Sequence, residues 1–129
     1  MTTTATIAAK HPAVTAMSVV RMFAGGISWV SPPLSYKVFG LGALPSGGSA
    51  GLVARLFGVR DLVLGAAVNH PDPTVRKAVL QAGVICDSFD VVASLFALRA
   101  GAPKAVLVTA TAGAAAFAAI GATALSQSR

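Results

Sequence analysis

The chain has 129 residues, of which 55% are hydrophobic and only 11% are charged, and its mean hydropathy is +0.76. A soluble domain carries about 25% charged residues, so the composition argues against one. It favours an integral membrane protein, with a buried helical subunit of a larger complex as the alternative. The net charge of +6 comes from scattered Lys and Arg, which suits lipid headgroups and argues against nucleic-acid binding.

Four apolar segments follow one another along the chain, at residues 13–31, 50–69, 77–99 and 104–125. Each has about the 20 residues that cross a bilayer as an α-helix. We therefore predict an all-α, integral membrane four-helix bundle that forms a single domain over residues 1–129. The first segment follows Lys10 as a signal peptide would, but no small-residue cleavage site comes after it, so we predict an uncleaved helix.

The connections between these segments are polar or rich in Pro and Gly. The longest, residues 31–49, is predicted to be an interfacial loop, because its apolar part is too short to span. Ser49 is predicted to cap the second helix, and Thr74 the third. The fourth segment carries alanines four residues apart, which predict a smooth packing face formed by Ala110, Ala114, Ala118 and Ala122.

An even number of spans places both termini on one side of the membrane. Four cations are counted on that side and three on the other, Lys37, Arg99 and Lys104. The positive-inside rule then predicts cytoplasmic termini, in a bacterial cytoplasmic membrane. The four cations on the terminal side are Lys10, Arg76, Lys77 and Arg129.

Away from the ends of the predicted spans, six charged residues lie inside them, although charges at bilayer depth are rare and usually functional. At 1.5 Å per residue they fall in one layer near the midplane, where three positive and three negative charges cancel. Arg60 points about 100° away from Asp61, so it is expected to reach a neighbouring helix or to meet a second subunit of a homo-oligomer. The six are Arg21, Arg55, Arg60, Asp61, Asp87 and Asp90.

Asp87 and Asp90 are the leading candidates for catalytic residues, with Asp61 as their counterpart. The i, i+3 spacing brings two carboxyls together, and two close carboxylates in a low dielectric tend to retain a proton that a general acid can donate. The structural alternative is that each aspartate forms a salt bridge with an arginine and holds the bundle together.

The candidate substrate-binding residues are Arg21, Arg55, Arg60, Asn69 and Ser94. The arginines are suited to an anionic group of a substrate, or to balancing the aspartates, and Arg55 is shallow enough to extend to the interface. Asn69 and Ser94 are also expected as hydrogen-bond partners between helices. At 100° per residue, each of the first three predicted helices places its polar residues on one stripe together with small residues. The stripes consist of Ser18, Arg21, Gly25 and Ser28; of Arg55, Gly58, Asp61, Gly65 and Asn69; and of Gly83, Asp87, Asp90 and Ser94. No metal-ligand or cofactor motif is present, so we predict no metal and no cofactor.

Two motifs resemble a pattern of small four-span membrane proteins of bacteria and fungi whose function is unknown. The first is Arg-Leu-Phe-Gly-Val-Arg-Asp-Leu-Val-Leu-Gly at residues 55–65, and the second combines Asp87-Ser-Phe-Asp90 with residues 97–101. The architecture is loosely similar to the DoxX-like four-helix group. The resemblance implies a four-helix bundle and supplies no activity. It marks Arg55, Arg60, Asp61, Asp87 and Asp90.

Three functions fit the predicted site. The first is a cofactor-free acid–base enzyme acting on a lipophilic small molecule, as a cyclase, an isomerase or an epoxide-opening enzyme. The second is a module that binds or transports a proton, an ion or a small amphiphile through the polar seam. The third is a structural subunit of a membrane complex.

Overall fold

The computed structural model describes residues 11–127, which form five α-helices and no strand within that range. Lys10 and Arg129, which entered the predicted orientation, lie outside these residues. Four of the helices correspond to the four predicted segments, and the short second one lies within the predicted loop. In chain order the helices are α1 Pro12–Val30, α2 Pro32–Val38, α3 Ser49–Ala67, α4 Pro73–Arg99 and α5 Lys104–Gln127.

Three of the helices, α1, α4 and α5, are long and apolar enough to cross a membrane. Helix α3 has the same length as α1, 19 residues, but it carries two arginines and an aspartate. Large apolar side chains point outward from these helices, and Phe23, Phe89 and Val108 are each more than half exposed. This apolar exterior is consistent with contact with lipid.

The helices form two closely packed antiparallel pairs, α1 with α3 and α4 with α5. Between α1 and α3 the backbones almost touch, because a Cβ atom on Gly25 would lie 2.5 Å from the carbonyl oxygen of Gly58. Between α4 and α5, a Cβ atom on Gly121 would lie 2.7 Å from Cγ2 of Val84. Small residues thus permit the close contact that helices in lipid require.

The packing face of α5 differs from the predicted alanine stripe. Ala114 is buried as expected, but Ala110 and Ala122 are exposed and Ala118 is half-buried. A spacing of four residues overshoots one turn by about 40° at each step, so such a stripe winds away from the neighbouring helix. A spacing of seven stays much closer to one line. The buried positions follow it, at Leu107, Ala114 and Gly121, with Ala124 beside them.

The first turn of α1 and the last turn of α5 lie at the same end of the bundle. Nε2 of His11 and Oε1 of Gln127 lie 2.8 Å apart and form a hydrogen bond there. The apolar core lies close to this end, and the buried polar residues follow it further along the helices. The core consists of Val14, Met17, Val68, Leu80 and Ala124.

The predicted caps at Ser49 and Thr74 were both wrong. Helix α3 begins at Ser49, and the residue before it is Gly48, which has a left-handed backbone with a φ of 86°. Helix α4 is capped by Asp72, whose carboxylate accepts a hydrogen bond of 2.8 Å from the backbone N–H of Thr74. Pro73 then occupies the first helical position, where the missing N–H costs nothing.

Replacing Asp72 with alanine is expected to lower the free energy of unfolding by about 1 kcal/mol, because an N–H group at the start of α4 loses its acceptor. Replacing Thr74 with alanine removes no cap and is expected to change the free energy of unfolding less. Thermal unfolding of both variants in detergent measures the difference. A larger loss for the Thr74 variant would contradict the assignment of Asp72 as the cap.

Candidate functional site

Arg21 lies at the centre of the bundle and contacts the other three long helices. From α1, its Nη1 donates to Oδ1 of Asp61 on α3 at 3.0 Å, and its Nη2 donates to Oδ2 of Asp87 on α4. Its guanidinium carbon lies 4.4 Å from the ring centroid of Phe117 on α5, in a cation–π contact. Arg21 and Asp87 are 2% exposed and Asp61 is 1% exposed. Each charge is therefore buried and depends on its partners.

Glycine makes room for this arginine. A Cβ atom on Gly83, one turn before Asp87, would lie 3.3 Å from Nη2 of Arg21. On α3, a Cβ atom on Gly65 would lie 3.0 Å from Cβ of Arg21. Each predicted polar stripe thus combines a charged residue with a glycine. The glycines on α3 and α4 leave room for the side chain of Arg21, which comes from the facing helix α1.

Arg60 forms a third ion pair, with Asp90. Its Nη1 donates to Oδ1 at 3.1 Å and its Nη2 to Oδ2 at 2.6 Å, which is the bidentate geometry of a strong arginine–carboxylate pair. The side chains of Arg60 and Asp90 are 32% and 29% exposed. Arg60 therefore reaches a neighbouring helix of its own chain, which removes the reason to expect a second subunit at this residue.

These three ion pairs join into one network. Nη2 of Arg60 lies 4.0 Å from Oδ1 of Asp61, which also accepts from Arg21. The Asp/Arg network contains three carboxylates and two guanidiniums, so with every group ionised its net charge is −1. The predicted neutral layer of six charges is corrected to a network of five with one excess acid. Its members are Arg21, Arg60, Asp61, Asp87 and Asp90.

Of the alternatives predicted for Arg55, an ion pair with these aspartates is not observed among the described residues. It is exposed, and its Nε donates to the carbonyl oxygen of Trp29 at 3.0 Å. Arg55 lies six residues before Asp61, about 9 Å along α3, and therefore beside the end of α1. The last carbonyls of a helix have no partner within it, and a cation there is favourable. Arg55 thus caps α1 instead of entering the network.

Asn69 and Ser94, the two neutral residues predicted for the site, have different roles. Nδ2 of Asn69 donates to Oγ of Ser18 at 2.8 Å, and Ser18 donates to the carbonyl oxygen of Gly65 at 2.7 Å, so Asn69 connects α3 with α1 as expected. Oγ of Ser94 donates to the carbonyl oxygen of Asp90, in its own helix. The expected bond of Ser94 to another helix is not formed within residues 11–127.

Little space is enclosed beside the network. A cavity of about 10 Å³ lies next to Arg21 and Ser18, between Leu64 of α3 and Phe117 of α5. Such a volume is near the lower limit for a single water molecule. Asp61 and Asp87 are 1% and 2% exposed, so the accessible part of the network is the Arg60–Asp90 pair.

Phe117 and Ser18 belong to the site although neither was predicted as a site residue. The only signal for Phe117 is that it is the single aromatic residue of α5. Ser18 shares its predicted stripe with Arg21, but a serine on such a stripe is usually a packing residue. Their contacts become visible only when the helices are placed together.

Comparisons of the chain with protein-family models, with curated proteins and with solved structures found no match. Within residues 11–127, no group of three or more His, Cys, Asp or Glu side chains is arranged to hold a metal ion. The chemistry of the Asp/Arg network is therefore interpreted from its geometry.

Proposed function

We propose that the chain is a small integral membrane protein of four spans, whose Asp/Arg network binds one exchangeable proton or a small lipophilic cation. The observation that carries the proposal is the excess of one carboxylate in the network. An uncompensated charge at bilayer depth is costly, so a cation is needed to balance it. With no other cation present, a proton on a carboxylate does so.

The same pairing supports a four-span arrangement. Helix α3 is the one long helix among the described residues that is not apolar enough by composition alone to count as a span, and it carries Arg55, Arg60 and Asp61. Two of them belong to the network, and the third lies at the end of α1, so none faces lipid without a partner. We propose that α3 crosses the membrane with the others and that both termini are cytoplasmic. Four of the five residues marked by the resemblance to a four-span family belong to this network.

Asp90 is the position at which we place the exchangeable cation. Its side chain is 29% exposed, whereas those of Asp61 and Asp87 are 2% exposed. Its partner Arg60 is held through Nη1 and Nη2, while its Nε has no hydrogen-bond partner among the described residues. A small amphiphile that arrives from the bilayer therefore meets Asp90 before any other carboxylate of the network.

Counting protonated carboxyl groups tests the charge imbalance. Infrared spectroscopy of the protein in lipid, through the carboxylic acid C=O band, is expected to show one such group at neutral pH. Asp90→Asn leaves two carboxylates against two guanidiniums, so the band is expected to disappear. Arg60→Gln leaves three carboxylates against one guanidinium, so a second protonated carboxyl group is expected. Asp72→Asn, outside the network, serves as the matched control and should keep one.

The absence of the band from the unsubstituted protein in buffer without organic cations would contradict the proposal. The network would then act as a set of ion pairs only, as in a structural subunit of a membrane complex. Adding tetraphenylphosphonium extends the test, because a bound lipophilic cation should replace the proton and remove the band. A band that persists would limit the ligand to the proton.

An acid–base enzyme acting on a lipophilic substrate is the second candidate, and the exposure of Asp90 beside Arg60 favours it. Asp90 is the accessible carboxyl of the network and is placed to transfer a proton in a cyclisation, isomerisation or epoxide opening, and Arg60 is placed to stabilise the anion that develops. In this candidate, Asp61 and Asp87 with Arg21 fix the network, and Arg55 takes no part. If a folded Asp90→Asn variant still turns over an identified lipophilic substrate, the enzyme candidate is excluded.

A further inference from the structure

An open groove of about 1060 Å³ lies at the end of the bundle opposite His11 and Gln127. It is bounded by α2, by the loop over residues 39–48 and by the first two turns of α3. We call it the interfacial groove. Two exposed cations, Lys37 and Arg55, line it, and no acidic residue occurs anywhere between residues 31 and 60. The groove is therefore positively charged and has no carboxylate of its own to balance that charge.

The start of α3 adds further donors to the interfacial groove. Gly48 occupies the cap position and supplies no side-chain hydrogen bond, and the first backbone bond is from Leu52 N–H to the Gly48 carbonyl. The N–H groups of Ser49, Ala50 and Gly51 thus have no acceptor within the helix. Free N–H groups and the helix dipole at such an end favour an anion.

From these features we infer that the interfacial groove binds the phosphate of an anionic phospholipid headgroup. Trp29, at the end of α1, is 49% exposed, and tryptophan at a helix end is typical of the headgroup region. Lys37 and Arg55 favour a net negative headgroup over a zwitterionic one, whose ammonium they repel. The inference rests on the proposed membrane location, but not on the role proposed for Asp90.

Trp29 provides the probe for this site, because it is the only tryptophan of the chain and its carbonyl accepts from Arg55. The protein is placed in phosphatidylcholine vesicles that contain a minor fraction of lipid with brominated acyl chains, which quench tryptophan on contact. Brominated phosphatidylglycerol is expected to quench Trp29 at a lipid fraction about 25-fold lower than brominated phosphatidylcholine, since Lys37 and Arg55 each contribute about fivefold.

Paired substitutions separate a site from a general surface charge. The double variant Lys37→Gln, Arg55→Gln is expected to lose the preference, so that both brominated lipids quench Trp29 at about the same fraction. Arg99→Gln with Lys104→Gln removes the same charge at the same end of the bundle, outside the groove, and is expected to leave the preference nearly unchanged. Because Arg55 also caps α1, Lys37→Gln alone is measured as well, and a loss of about fivefold is expected.

Four results would overturn the inference. The first is equal quenching by the two brominated lipids, and the second is an equal loss of preference in the two double variants. The third is abolition of the preference by inorganic phosphate, which would identify a free anion as the ligand. The fourth is the absence of quenching by either lipid, which would reject the membrane location as well, whereas in the first three that location stands.

Discussion

Replacing Arg21 with methionine is expected to deprive the protein of most of its stability. The variant keeps the volume of the side chain, but leaves Asp61 and Asp87 without the guanidinium that both accept from. Both carboxylates are almost fully buried, and removing one partner of a buried ion pair costs about 3–5 kcal/mol. Since a whole domain is stable by about 5–15 kcal/mol, little folded protein should remain. The yield of monodisperse protein in detergent measures the effect.

The same experiment has a rescue arm. Adding Asp61→Asn and Asp87→Asn to the Arg21→Met variant removes the stranded charges while keeping their shapes, and most of the lost yield is expected to return. Arg99→Gln, an exposed arginine outside the network, serves as the control and should leave the yield unchanged. If Arg21→Met alone behaves like this control, Arg21 does not hold the helices together. If the rescue fails, the loss has a cause other than buried charge.

Gly25→Ala is expected to have the second largest effect. The added Cβ atom would lie 2.5 Å from the carbonyl oxygen of Gly58 and 2.6 Å from the backbone N of Leu62. Because both contacts are with backbone atoms, no side chain can rotate to relieve them, and α1 must move away from α3. Overpacking of this kind costs about 1–3 kcal/mol, and we expect the upper part of that range. Thermal unfolding in detergent measures the loss.

The adjacent glycine provides a matched control. A Cβ atom on Gly26 would meet nothing within 4 Å, although the residue lies in the same helix turn. Since alanine favours a helix over glycine by up to about 1 kcal/mol, Gly26→Ala should keep or raise the melting temperature. A Gly25→Ala variant that melts as high as the Gly26→Ala variant would show that α1 and α3 are not in backbone contact.

Both predictions concern the packing of α1 against α3 and the ion pairs that depend on it. The close approach of α1 and α3 at Gly25 and Gly58 brings Arg21 within hydrogen-bond distance of Asp61. Moving the helices apart therefore also lengthens an ion pair on which the buried charges depend. We expect Gly25→Ala to change the count of protonated carboxyl groups as well, because a weakened Arg21 contact makes ionised Asp61 more costly to bury.

The sequence by itself determined the helices and the residues from which a site can be built. Apolar segments of sufficient length predicted α1, α3, α4 and α5 to within a few residues, since helix length and apolar content are local properties. The charged residues inside them were recognisable one by one, because an ionisable side chain in an apolar segment is costly wherever its partner lies. The polar stripes on α1, α3 and α4 also followed from 3.6 residues per turn.

Only the tertiary structure decided which charge pairs with which. From the directions of ideal helices, Arg60 was expected to reach either a neighbouring helix or a second subunit, and Arg55 either to balance an aspartate or to extend to the interface. In the structure Arg60 pairs with Asp90 on a neighbouring helix, and Arg55 caps α1. A long arginine side chain bridges an angular offset that its Cα position does not predict, and its partner depends on how far adjacent helices are shifted along their axes. That shift is set by contacts such as Gly25 with Gly58, between residues far apart in the chain. The excess carboxylate became apparent for the same reason, because it depends on Arg55 lying outside the network.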